Sequence, residues 1–155
     1  MGKEIERKFL VSGDGWRGLA PGVRYRQGYL CTQKERTVRV RTAGDRAWLT
    51  VKGVTDGVTR LEFEYEIHFA DGEAMLDELA QRPLVEKTRY RIPAGEYVWE
   101  VDEFEGENAG LIVAEIELPD PQARFEKPAW IGREVSDDPR YFNANLVKHP
   151  FSSWR

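Results

Sequence analysis

The sequence predicts a mainly β (α+β) domain in which a single antiparallel sheet closes on itself as an eight-stranded barrel around a charged lumen. Three observations lead there. Segments rich in β-branched and aromatic residues alternate apolar with ionisable side chains on a two-residue period. There are about eight of them, and several connections are short enough to favour hairpins over parallel crossovers. Strand side chains alternate between faces, so nearly every segment has one apolar and one ionisable face, with like charges two residues apart. Such charges repel unless opposite charges or a ligand face them from neighbouring strands. Turning these faces inward in a closed barrel gives a lumen with one wall suited to an anion and another suited to a cation.

The strand-like segments lie at about 3–11, 23–31, 36–43, 46–53, 59–69, 85–92, 96–104 and 111–118. The first puts Glu4, Glu6 and Lys8 on one face and Ile5 and Phe9 on the other. Its pattern returns around Arg39 and Arg41, around Lys52, in Arg60-Leu61-Glu62-Phe63-Glu64-Tyr65-Glu66, around Lys87 and Arg89, and in Glu115-Ile116-Glu117. Asp14-Gly15, Ala43-Gly44-Asp45, Gly53 through Gly57, Pro93-Ala94-Gly95 and Gly106 through Gly110 punctuate them as turns. Met75, Leu76 and Leu79 at helical spacing before Pro83 predict a helix over about 72–82. A short helix is expected at 121–125, and a third after Ser136-Asp137-Asp138-Pro139, where a capping side chain precedes a proline. The third carries Tyr141, Phe142 and Leu146, and residues 150–155 read as a frayed end. No repeat or linker composition divides the chain, so one domain is expected over 1–155.

The 155 residues with 41% hydrophobic content suffice for one sizeable core. With 27 acidic against 23 basic residues, the net charge of -4 argues against a simple electrostatic nucleic-acid binder, though a local basic pocket fits. The single Cys31 excludes an intrachain disulfide and thiolate clusters, and points to a reducing cytoplasm. No signal-peptide pattern opens the chain, no apolar run reaches bilayer length, and Glu6 stands where a myristoylation start would want Ser or Thr. With only His68 and His149, no nucleophile elbow and no Gly-rich phosphate loop, any chemistry falls to carboxylates, Lys, Arg and Tyr.

Glu4-Ile5-Glu6-Arg7-Lys8-Phe9-Leu10-Val11 resembles the opening signature of the CYTH superfamily, the triphosphate tunnel metalloenzymes. The Arg39-Val40-Arg41, Thr50-Val51-Lys52, Thr59 to Ile67, Glu86 to Tyr90, Glu100 to Phe104 and Ala114 to Leu118 segments follow in the family's order, as does the tail Glu134-Val135-Ser136 to Arg140-Tyr141-Phe142-Asn143. The resemblance spans roughly residues 3–147 and implies an eight-stranded antiparallel barrel holding a triphosphate and divalent metal ions. It implies phosphate-binding roles for Lys8, Arg39, Arg41, Lys52, Lys87 and Arg89. A triphosphate carries about four negative charges near neutral pH, which forked guanidiniums and compact ammonium groups match. Arg24, Arg26, Arg91 and Arg133 stay open between lumen and surface. Mg²⁺ or Mn²⁺, which takes hard oxygen ligands, is expected on Glu4, Glu6, Glu115 and Glu117, with Glu62 and Asp102 as further ligands. Glu64 and Glu66 fit equally as charge partners across the lumen.

The resemblance further implies hydrolysis of inorganic tripolyphosphate, with Lys8 in the catalytic set and Tyr29 and Lys87 as a water-activating pair. A second metal ion generating hydroxide remains equally open. The alternatives are a class IV adenylate cyclase and a non-catalytic triphosphate-binding module; the retained carboxylates argue against the latter. Arg140 fits a helix-start salt bridge better than a phosphate contact. The expected partner is a small triphosphate, with no membrane or nucleic acid, and the protein a monomer or homodimer.

Overall fold

The computed structural model describes residues 3–154. Nine strands make one sheet: β1 (Lys3–Val11), β2 (Gly22–Gln33), β3 (Arg36–Ala43), β4 (Arg46–Gly53), β5 (Thr59–Ile67), β6 (Val85–Ala94), β7 (Tyr97–Phe104), β8 (Ile112–Glu117) and β9 (Ile131–Glu134). Their order is β5-β4-β3-β2-β6-β7-β8-β1-β9, and β1 also pairs with β5, so eight strands close into a ring. Every pairing is antiparallel. The seam is short, with Lys3, Glu4 and Ile5 opposite Leu61, Arg60 and Thr59. Further along, β9 takes the same edge of β1, pairing Phe9 with Glu134 and Val11 with Ile131.

The apolar faces point out of the ring. Phe9, Trp99, Val101, Ala114 and Ile116 come from β1, β7 and β8, and they bury against Trp16 and Trp130 from the covering loops. Phe9 and Trp99 are 0% exposed. Phe125 and Trp130 meet Trp99 edge-on at centroid separations of 5.8 and 6.0 Å, the geometry that aromatic quadrupoles prefer. A second cluster plugs one end of the ring from inside: Tyr29, Val85, Phe104 and Val113 meet Val135, Tyr141, Leu146 and Val147.

Helix α1 (Phe69–Glu78) packs on the outer face of β3 and β4. Two glycines permit its close approach. A Cβ on Gly72 would stand 2.6 Å from the Ala47 side chain, and one on Gly28 would stand 3.1 Å from Leu76 of the helix and 2.7 and 2.8 Å from Ala80 and Leu84 of the segment that follows it. On β5 the outer residues Leu61, Phe63 and Tyr65 remain exposed.

The expected strands are all present, but four local expectations need correction. The helix expected at 72–82 runs instead from Phe69 to Glu78, because β5 already ends at Ile67 and Asp71 supplies an acid for the first turn. No helix forms at 121–125. Asp120 instead turns the chain by accepting from Gln122 N at 2.7 Å, and Phe125 is used to cover Phe9 and Trp99. Strand β9 was not expected; its four residues include Gly132 and are too few to display alternation. The final segment is ordered rather than frayed, because a 3-10 turn at Phe151–Ser153 brings Trp154 edge-on to Tyr141 at 5.1 Å. Arg155 lies outside the described residues. The third expected helix forms as a 3-10 turn (Pro139–Tyr141) followed by α2 (Asn143–Lys148).

Candidate active site

The inward faces line a chamber of about 460 Å³ whose wall includes Glu4, Glu6, Lys8, Arg39, Arg41, Lys52, Glu62, Arg89, Glu115 and Glu117. Each side chain arrives there by strand parity. Because β1 and β8 are in register, Lys8 stands opposite Glu115, and Glu6 stands opposite Glu117. The first juxtaposition is an ion pair at 3.3 Å. The second sets two carboxylates face to face.

On the cationic side, Arg39 and Arg41 of β3 share the Glu64 carboxylate at 3.4 and 3.6 Å, and Glu64 also accepts from Thr50 Oγ1 at 2.7 Å. Arg39 Nε and Arg41 Nε are buried donors with no partner among the described residues. Burial, then Arg39 and Arg89, push Arg41 down to about 10. Lys52 Nζ lies 3.0 Å from Glu4 and 3.5 Å from Glu62; burial lowers it, but the carboxylates of Glu6, Glu4 and Glu62 outweigh this and raise it. Arg89 is held by both oxygens of Asp102 at 2.7 and 2.8 Å and reaches Glu115 at 3.4 Å.

The carboxylates divide into two groups. Burial alone would raise Glu115 and Asp102, yet the cations against them win: Lys8 and Arg89 hold Glu115 well below the usual range, and Arg89 and Lys87 lower Asp102. Glu6, Glu62 and Glu117 shift the other way. Burial raises all three, reinforced by Glu115 and Glu4 at Glu6, and by Glu4 at Glu62 and at Glu117. Crowded oxygen donors with a surplus of negative charge suit a hard divalent cation. Among the described residues, no three of these groups already form a closed metal cluster.

Two expected residues sit differently from the rest. Lys87 is 1% exposed, is absent from the chamber wall, and bonds Asp102 at 2.7 Å and Asn143 Oδ1 at 3.4 Å. Burial pushes it down to about 8 despite Asp102. Tyr29 does line the chamber. It belongs to the apolar cluster containing Phe104, whose ring lies 5.4 Å from Lys87 Nζ. No hydrogen bond joins Tyr29 to Lys87 among the described residues.

Of the arginines left open, Arg24 and Arg26 face outward onto Glu86 and Glu73, Arg133 is exposed, and Arg91 reaches the chamber rim beside Glu100. Arg140 makes a salt bridge with Asp138 at the start of its turn, as preferred. Glu64 acts as a partner across the lumen, whereas Glu66 pairs with exposed Arg46. Several further residues line the wall. Arg60 shares the inward parity of Glu62 and bonds Gly53 O and Thr37 Oγ1, so the alternation could have revealed it. Lys34, Thr37, Phe142 and Asn143 also line the wall; the last two arrive only because the chain's C-terminal segment folds over the ring. That segment engages the site directly, with the Tyr141 carbonyl accepting from Lys8 Nζ at 3.1 Å.

A closed antiparallel ring whose inner face carries both cations and carboxylates defines a barrel with a lumen suited to a polyanion and a metal ion. The CYTH domain profile matches residues 2–149, and the chain belongs to the CYTH domain family. It is 55% identical over 155 residues to the inorganic triphosphatase of Acetivibrio thermocellus, spanning 100% of this chain and 99% of that protein. With the inorganic triphosphatase of Nitrosomonas europaea it shares 38% identity over 151 residues, which are 93% of this chain and 96% of the relative. A solved structure described as an inorganic triphosphatase superposes with a TM-score of 0.66 at 34% identity and covers 93% of each chain.

Proposed function

We propose that the protein is a metal-dependent triphosphatase that releases phosphate from inorganic tripolyphosphate inside the barrel. The observation that carries this reading is the convergence of Lys8, Arg39, Arg41, Lys52 and Arg89 on one chamber that also holds the crowded Glu6 and Glu117. Two relatives named inorganic triphosphatase, similar along nearly the whole chain, support it.

In this reading the arginines and lysines grip the phosphate oxygens, and buried Arg39 Nε and Arg41 Nε offer further donors. Glu4, Glu6, Glu115, Glu117 and Glu62 are the residues that would hold Mg²⁺ or Mn²⁺, which would neutralise phosphate charge and polarise the bond to be broken. We give Asp102 a different role from the ligand role expected from the sequence. Both its oxygens are engaged by Arg89 and a lysine at 2.7 and 2.8 Å, closer than the cation contacts of Glu115 and Glu4, and it does not line the chamber, so it orients Arg89. Tyr29, on the chamber wall, is the side chain assigned to the attacking water; Lys87, buried behind the wall, acts on the site through Asp102 and Arg89, and a second metal ion held by the carboxylates would be the other source of hydroxide. Water oxygen bonds to the terminal phosphorus, the bridging P–O bond breaks, and phosphate and pyrophosphate leave, one water proton staying on the phosphate and the other passing to the departing pyrophosphate. Lys8, anchored by Glu115 and the Tyr141 carbonyl, faces the same charge throughout. Among the described residues no helix is long and apolar enough to cross a membrane; with a lone free Cys31, we place the enzyme in the cytoplasm.

The test is incubation of purified protein with tripolyphosphate or ATP, each with Mg²⁺, Mn²⁺ or chelator, followed by product separation. Metal-dependent phosphate release from tripolyphosphate is expected. Cyclic AMP with pyrophosphate from ATP would make it a cyclase instead, and tight binding without products would make it a binding module.

A further inference from the structure

Tyr25 is an inward-facing residue that the charge pattern does not explain. It lies on β2, between β3 and β6 in the sheet, paired in register with Ala43 on one side and Lys87 on the other. Its half-buried ring lies 5.0 Å from the Arg41 guanidinium carbon and 5.1 Å from that of Arg89. These cations come from the two strands flanking β2. Both line the chamber, whereas Tyr25 does not.

The two guanidiniums are held very differently. Arg89 is fixed by the fork of Asp102. The ion pair of Arg41 is a 3.6 Å approach to a shared Glu64, its Nε has no partner among the described residues, and the Trp48 ring is more distant at 5.7 Å. Left to electrostatics, Arg41 would swing away from Arg89, since the two repel and a like-charged Arg39 stands on its own strand. An aromatic face attracts each cation and weakens that tendency.

We propose that Tyr25 is a positioning residue whose ring holds Arg41 beside Arg89, so that a phosphate chain meets both guanidiniums at once. The proposal rests on reading the chamber as a polyphosphate site. It assigns the effect to the ring face and not to the hydroxyl, and to binding more than to bond cleavage.

The experiment compares wild type, Tyr25→Phe and Tyr25→Leu. Tripolyphosphate binding is measured by calorimetry in chelator, hydrolysis is measured with metal, and circular dichroism checks folding. Tyr25→Phe is expected to match wild type within about twofold, and Tyr25→Leu to weaken binding and raise KM by about 5–30-fold, the size of a desolvated cation–π contact, with a smaller change in kcat. In an Arg41→Ala background, Tyr25→Leu is expected to add little, because the ring then has no Arg41 to hold. Unchanged binding in a folded Tyr25→Leu, an equal loss in Tyr25→Phe, or a fall in kcat at constant KM would overturn the proposal. Wild type that binds tripolyphosphate but does not cleave it strikes the hydrolase reading alone, since the binding comparison still decides Tyr25. Wild type that does not bind it overturns both.

Discussion

The two faces of the same strands do opposite work. On the outer face of β1, β7 and β8, Phe9, Trp99, Val101 and Ile116 exclude water and hold the ring against its loops. One residue away on each strand, Lys8, Glu100, Asp102 and Glu115 point into the lumen, where pairing is incomplete and Glu6, Glu62 and Glu117 are driven upward by burial and like charge. Apolar burial stabilises the outer face at roughly 25 cal/mol per Å² removed from water. The lumen pays the desolvation of its charges in return for a site complementary to a polyanion and a cation. Stability and function are therefore separable by parity along each strand.

The largest expected break of that separation is on the outer face. Trp99→Ala should cost about 3–5 kcal/mol in urea unfolding, because it empties a fully buried site shared with Phe9, Phe125 and Trp130. Specific activity of the folded fraction should persist; its loss would show that the outer packing sets the lumen geometry. Next comes Lys8→Ala, one position from Phe9. It should lower kcat/KM for tripolyphosphate by about 10²–10³-fold, the range for removing one preorganised charge-stabilising donor, with native circular dichroism retained. Unchanged turnover would remove Lys8 from the site.

The smallest effect is at the rim of both faces, where Arg7 donates to Glu134 at 2.9 and 2.5 Å. The Arg7 hydrogen bond, helped by that of Ser136, holds Glu134 below the usual carboxylate range against the opposing effect of burial. A depressed folded value means that the stabilisation is present above the unfolded carboxylate value near ~4.3 and is lost as pH falls through the folded one. Glu134→Gln should thus lower stability by about 1 kcal/mol at neutral pH, with the gap to wild type closing below about pH 4. A gap independent of pH would place the effect in packing instead of charge.

Much of this was legible because alternation is local. Glu4, Glu6, Lys8, Arg39, Arg41, Lys52, Arg89, Glu115 and Glu117 could be assigned to one face from spacing alone, and all line the chamber. Arg60 carried the same signal but was overlooked beside the acidic run that follows it. Other features had no local signal. Asn143 and the Tyr141 carbonyl reach Lys87 and Lys8 only through closure of the chain's C-terminal segment, and an uncharged side chain or a backbone oxygen leaves no periodic trace. The burial of Lys87 behind the wall depends on the β6–β7 register that sets Phe104 opposite it and Asp102 beside it, which spacing within a single strand does not specify. Pro121 to Phe125 read as helix locally, but covering Trp99 with Phe125 outweighed the weak propensity of so short a segment.

The central claim is that the inward carboxylates serve chemistry and not the fold, and Glu117→Gln tests it most directly. Glu117 is exposed to the chamber, faces Glu6 across the strand pair, and is raised by burial and by Glu4, Glu62 and Glu100. Phosphate release from tripolyphosphate and the melting temperature in chelator should be measured on the same preparation. The account predicts that release falls by about 10²-fold or more while Tm holds or rises by about 2–4 °C, since one of two facing charges is gone. Full metal-dependent release by the variant, or unfolding in place of inactivation, would contradict it.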